Sequence, residues 1–180
     1  GVGSTPYRAA LLLEKNTGAE FTLIHYDGDA ALMTNLLNGQ IDCTVPIVSS
    51  PLQYIEKGDM KALALLSNKE NVLYPNVVTL SEVIPETKND LDYFGPIFTV
   101  NVKKGTPKDI FKKLQEVYKT AVESDEFQDF CKKTGYEPIG ISGDEANEYI
   151  KNYQSINSWM LYDAGGAKES PEKFDIPRVN

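Results

Sequence analysis

The 180-residue chain is poor in the side chains most often used for chemistry. Its two cysteines, Cys43 and Cys131, have no CxxC spacing and are too few for a disulfide framework. Cys43 follows Ile41 and Asp42 in a strand-like stretch, which favours a buried small hydrophobe over a nucleophile. A His-based zinc site or a Ser-His-Asp triad would have to use the one histidine, His25, which lies in an alternating run rather than a loop. Both classes are disfavoured, and no metal or other cofactor is expected. Positive charge is also scarce, with 18 Lys and Arg against 26 Asp and Glu and a net charge of −8. Such a surface repels nucleic acid, and the basic residues gather into no stripe, so no nucleic-acid partner is expected. No apolar run approaches the roughly 20 residues of a membrane helix. The start has no basic stretch followed by an apolar one, and a chain opening on a loop glycine reads as trimmed, so a leader in the precursor is expected.

What the chain does have is a repeated way of starting helices. It opens Gly1-Val2-Gly3-Ser4-Thr5-Pro6-Tyr7 and runs into Ala9-Ala10-Leu11-Leu12-Leu13. Thr5 suits an N-cap and Pro6 the first helical position, where a missing N–H costs nothing. Gly1 and Gly3 allow close approach to the helix start, where the Ser4 and Thr5 hydroxyls and free N–H groups outline an anion site. A simple helix cap explains the same residues. Ser49-Ser50-Pro51 and Gly105-Thr106-Pro107 repeat the device.

Between these starts the chain alternates. Glu20 to Tyr26, Ile41 to Pro46 and Lys61 to Leu66 read as strands. Asp27-Gly28-Asp29 leads into a helix from Ala30 to Asn38, and Leu52 to Lys57 forms another, closed by Gly58. Strands alternating with helices predict an α/β domain with buried parallel strands. Asn68 to Asp90 is a polar connection with one helical turn at Ser81 to Val83. Leu91 to Val102 is apolar and interrupted by Gly95-Pro96, as expected of a strand pair. Ile110, Phe111, Leu114, Val117, Tyr118 and Ala121 then make an amphipathic stripe on a core-facing helix. Helices over Asp125 to Lys133 and from Ser142 to about Tyr162 follow, with an extended Tyr136 to Ile141 between them and an irregular tail after Gly165-Gly166.

Several linked motifs carry a family resemblance. They are Gly3-Ser4-Thr5-Pro6, Tyr26-x-Gly28 with Leu36-Leu37-x-Gly39-Gln40-Ile41-Asp42, and Gly58 with Lys61-Ala62-Leu63-Ala64. Pro75-Asn76-Val77-x-Thr79-Leu80-x-Glu82 and Gly105-Thr106-Pro107-Lys108 complete the set. In order and spacing the chain resembles the C-terminal part of the periplasmic receptors of tripartite tricarboxylate transporters, the Bug receptors.

The resemblance implies an α/β, type II periplasmic-binding-protein-like fold, two lobes with parallel-rich sheets, the first lobe incomplete in this chain. Residues 1–90 would be the second lobe, 91–165 the returning part of the first, and 166–180 an irregular tail. The implied function is capture of a small carboxylate in the periplasm, or outside the cell on a membrane anchor, and delivery to membrane transporter subunits. The implied contacts are Gly3, Ser4, Thr5 and Tyr7 on the opening turn and Tyr26, Gly28, Asp29 and Ala30 on the second loop.

The chain departs from the family pattern in several places. Tyr7 stands where His is common, His25 where Pro is, Pro46-Ile47 where an Asp-Asn pair is, and Asp29 where Gly is. Asp29 suits either an amine on the ligand or an N-cap for the helix at Ala30. Tyr26 either closes over a ligand or ends a strand. A ligand-sensing domain of a regulator would share the fold. An enzyme would need a nucleophile and base in reach, which one strand histidine does not supply. With half of a two-lobed fold missing, the apolar helix stripe is expected to be left uncovered and to promote self-association.

Overall fold

The computed structural model describes residues 3–179. The role expected of Gly1 lies outside them. Eight helices are present among the described residues: α1 (Thr5–Thr17), α2 (Asp29–Leu37), α3 (Leu52–Lys57), α4 (Leu80–Val83), α5 (Lys88–Leu91), α6 (Lys108–Glu123), α7 (Asp125–Thr134) and α8 (Gly143–Asp163). Glycine in the left-handed region ends several of them, as at Gly18, Gly58 and Gly135.

The core gathers around α1. Leu12, fully buried, packs with Leu80 and Leu91, and Leu13, Leu66, Ile84 and Phe94 surround them. This brings α1 against α8 and the 3₁₀ turn Pro85–Thr87. The connection expected over 68–90 is thus more ordered than its polarity suggested. At α4 the N–H and hydroxyl of Thr79 both donate to the Glu82 carboxylate, which holds that carboxyl below its usual range. The 93–95 loop is pinned to α8: Asn157 donates to the Tyr93 and Tyr153 carbonyls, and the Tyr153 hydroxyl donates to the Gly95 carbonyl at 2.7 Å.

The tail expected to be irregular carries a 3₁₀ turn at Pro171–Phe174, capped by the Ser170 hydroxyl, and is docked. The Trp159 ring nitrogen donates to the Ile176 carbonyl, and Ser155 donates to that of Pro177. Arg178 grips Asp163 with two hydrogen bonds of 2.8 Å and lies 4.1 Å from the centre of the Trp159 ring.

The predicted strands form no ladder among the described residues. The one β-bridge joins Leu65 to Thr79 in parallel, Leu65 N–H to Val78 and Leu80 N–H to Leu65. A strand is stable only when a neighbour takes its N–H and C=O groups, and residues 20–26, 41–46, 96–102 and 136–141 have no such neighbour here. Their apolar side chains are accordingly left out, with Phe98 and Val100 80% and 82% exposed.

Helix α6 is amphipathic as its stripe predicts; none of its residues is buried, and Ile110, Leu114 and Val117 stand about half exposed, as expected of a stripe left uncovered rather than of a core-facing helix. Two further expectations are corrected. Cys43 is exposed, because the segment meant to bury it has no sheet to join; Cys131, on α7, is buried. The second and third helix starts are not capped by hydroxyls. Pro51 and Pro107 themselves hold the cap positions, and Thr106 donates back to the Lys103 carbonyl instead.

Candidate functional site

The opening turn is built by Gly3 and Ser4. Gly3 has φ +83°, a conformation that a side chain disfavours, and it swings Ser4 into extended backbone at the N-cap of α1. The Ser4 hydroxyl accepts from Tyr7 N–H at 3.4 Å, and the Ser4 carbonyl takes the Arg8 N–H. The cap is therefore Ser4 rather than Thr5. Thr5 is the first helical residue and Pro6 the second, where its missing N–H is equally harmless. The Thr5 hydroxyl does not cap; it accepts from the Arg8 guanidinium at 3.2 Å.

Tyr7 leans toward the second loop, its ring 6.3 Å from that of His25. The first turn of α1 thus sits beside the 25–26 segment, and Tyr26 is half-buried. Gly28, at φ +86°, occupies the N-cap of α2 and has no side chain to cap with. Asp29 is the first residue of that helix rather than its cap. Its carboxylate favours the helix dipole there and accepts a hydrogen bond from the Ser50 hydroxyl, which ties α2 to the start of α3. Ala30, next in the helix, is exposed.

A cavity of about 630 Å³ opens over Gly3, between α1, the 97–101 segment and α8. Its polar lining comes from Arg8, Thr99, Asn101, Tyr153, Gln154, Asn157 and Ser158. Of the eight residues singled out in the sequence, Gly3 alone lines it; Ser4 and Thr5 adjoin it through Gly3 and Arg8. Residues 26–30 lie outside this lining. Arg8 went unnoticed in the sequence, although the signal was there: a cation four residues after Ser4, next to Ala9, Ala10, Leu11 and Leu12, all of them buried. Thr99, Asn101, Asn157 and Ser158 gave no comparable signal. A second cavity, of about 570 Å³, lies between α6, α8 and the 97–106 segment and is walled by apolar side chains such as Phe98, Val100, Leu114 and Ile139.

Among the described residues no group of three or more His, Cys, Asp and Glu could hold a metal ion. None of their helices is long and apolar enough to cross a membrane. His25 is exposed, and its described aromatic neighbour is Tyr7.

Comparison with known proteins supplies the remaining findings. The sequence profile of the tripartite tricarboxylate transporter family receptor matches residues 1–161. Protein BugT of Bordetella pertussis is 27% identical over 174 residues, covering 96% of this chain and 50% of the relative. A UPF0065 protein of Cupriavidus necator is 26% identical over 153 residues, covering 80% of this chain and 43% of the relative. Among solved structures, R. palustris Rpa4515 with adipate gives a TM-score of 0.76 at 23% identity, covering 92% of this chain and 54% of that one. The periplasmic binding protein BugD gives 0.68 at 25% identity, covering 94% and 56%. The chain therefore spans about half the length of these relatives. The likeness shows the fold class, an α/β periplasmic-binding-protein fold present in part, with its helices formed and its strand segments unpaired among the described residues.

Proposed function

Because the chain belongs to the receptor family of the tripartite tricarboxylate transporters, we propose that it captures a small mono- or dicarboxylate outside the cytoplasmic membrane and hands it to the transporter's membrane subunits. The matching family is one of receptors, and BugD is a periplasmic binding protein. The observation that carries the reading is the start of α1. A 13-residue helix presents its N-terminal turn, shaped by Gly3 and capped by Ser4, beside an open cavity, where N–H groups and the helix dipole favour an anion. One related structure is described with adipate, a dicarboxylate.

In this reading residues 1–90 contribute the second lobe and 91–165 the returning part of the first. Gly3, Ser4, Thr5 and Tyr7 face the ligand from one side of the cleft. Tyr26, Gly28, Asp29 and Ala30 complete that side when the cleft closes. The contact of Tyr7 with His25, which puts the two loops next to each other, supports this grouping. The hold of Ser50 on Asp29 makes Asp29 a fixed acceptor, suited to a ligand amine if one is present.

A thermal-shift screen of the purified protein against succinate, glutarate, adipate and neutral sugars tests the proposal. The diacids should raise the melting temperature and the sugars should not. A response confined to sugars would contradict the receptor reading.

A further inference from the structure

Arg8 is a charge without a counter-charge. Its side chain is only 7% exposed, yet no carboxylate among the described residues lies within ion-pair distance of it. Every described partner is neutral. One guanidinium nitrogen donates to the Thr5 hydroxyl at 3.2 Å and the Tyr153 hydroxyl at 3.3 Å, and the Phe94 and Tyr153 rings lie 5.6 and 5.8 Å away. Nε is buried with no hydrogen-bond partner. A guanidinium is rarely taken out of water in this way unless an anion meets it.

Where such an anion would sit follows from the surroundings. Arg8 lines the cavity over Gly3, and it is the one charged side chain among the described residues that does so. The rest of the polar wall, Thr99, Asn101, Tyr153, Gln154, Asn157 and Ser158, consists of neutral hydrogen-bonding groups. The N-terminal turn of α1 adds its own partial positive charge beside Gly3. In a chain of net charge −8, this is a cavity with only positive charge facing it. The guanidinium is already oriented by Thr5, by the two rings and by Tyr153, which is itself anchored to the Gly95 carbonyl. An incoming carboxylate would therefore find its partner pre-set.

We infer that Arg8 is the residue that receives a carboxylate group of the ligand, in the cavity between α1, the 97–101 segment and α8. This rests on the receptor reading above and adds to it the charge-pairing residue. Thr5 and Tyr153 are then positioning residues for Arg8, and Thr5 acts on the ligand through the guanidinium.

Two measurements on the 180-residue protein test this. The first is calorimetric titration of wild type and Arg8→Met with adipate, together with their melting temperatures. Charge-assisted hydrogen bonds of this kind are each worth about 10- to 100-fold in binding. Arg8→Met should lose at least that factor for adipate, while its ligand-free melting temperature holds or rises, because an uncompensated buried charge is gone. Unchanged affinity in a folded variant, with wild type binding, overturns the assignment of Arg8 and leaves the receptor reading standing. A wild type that binds no dicarboxylate overturns both.

The second measurement needs no variant at the site and decides the matter if Arg8→Met does not fold. The chain has two arginines, Arg8 and Arg178, so its arginine Nε–H signals in a nitrogen-15 NMR spectrum can be assigned with Arg178→Lys. Adipate should shift the Arg8 signal and slow its hydrogen exchange while the Arg178 signal stays in place. An Arg8 signal that does not move at saturating adipate would show that the side chain is only a structural clamp between Phe94 and Tyr153.

Discussion

The two amphipathic helices α1 and α6 have come to opposite ends. Helix α1 carries Ala9, Ala10, Leu11 and Leu12 into a packed centre with Leu80, Leu91, Trp159 and Met160, and the tail closes over α8 behind it. Helix α6 has the more sharply segregated stripe and buries nothing. Phe111, Leu114 and Tyr118 face an opening bordered by Phe98 and Val100, which are themselves exposed, and Ile110 and Val117 stand about half exposed beside them. The contrast separates two things that a sequence pattern runs together. Periodicity says which face of a helix is apolar, whereas burial depends on whether another element arrives to cover it. For α1 the cover is α8 and the 80–94 stretch. For α6 the covering sheet would need segments 97–102 and 136–141 to pair, and among the described residues they do not.

The sharpest way to break the comparison is to truncate one leucine in each helix. Leu12→Ala should cost about 2–5 kcal/mol of unfolding free energy, since the side chain is fully enclosed. Leu114→Ala should cost less than about 1 kcal/mol, since nearly half of that side chain is already in water. Urea unfolding followed by circular dichroism gives both numbers. Equal losses would mean that α6 is covered in solution.

A second effect concerns that uncovered face. An apolar stripe flanked by open cavity walls favours association of copies of the chain. Concentration-dependent dimers or larger species should appear in sedimentation. Leu114→Glu with Val117→Lys should weaken them by at least about tenfold, given the area removed, with the helical signal unchanged. A monodisperse monomer at every concentration would show that the stripe folds back on its own chain.

The smallest effect lies on the packed side, at the tail. Hydrogen bonds from Arg178 hold the Asp163 carboxyl below its ordinary value of 3.8 and outweigh the desolvation that would raise it. A carboxyl with a lowered folded-state pKa stabilises docking at pH values above the unfolded value. That contribution fades as pH falls below 3.8 and is gone once pH passes through the folded value. The single tryptophan, Trp159, lies directly under Arg178 and reports on the contact. Its emission should change below pH 3.8, and Arg178→Ala should give the same emission at neutral pH. An emission spectrum indifferent to both would mean that the tail is held by Ser155 and Ile176 alone.

The helices were legible in the residues because their signals are local. Gly58 closes α3, the turn read at Ser81 to Val83 falls within α4, and the α6 stripe needs no knowledge of the partner. The strand ladders were not, because Phe21, Leu63 or Phe98 can fit a strand in sequence yet cannot supply the neighbouring backbone that makes one. At the site, the turn at Gly3-Ser4 was legible, although the cap moved by one residue. Gly3 turns left-handed, which places Ser4 rather than Thr5 in the extended position before the helix. Arg8 was missed because its importance is relational. A cation in the second turn of a helix is ordinary until Phe94, Tyr153 and the cavity, distant in sequence, enclose it.

The central claim is that the opening turn of α1 serves a negatively charged ligand. Calorimetric titration with adipate beside its uncharged diamide addresses it directly. The two differ in charge far more than in length or apolar content. The account predicts that the diacid binds, with micromolar affinity corresponding to about −8 kcal/mol, that salt weakens it, and that the diamide gives no measurable heat of binding. Equal affinity for diacid and diamide would contradict it.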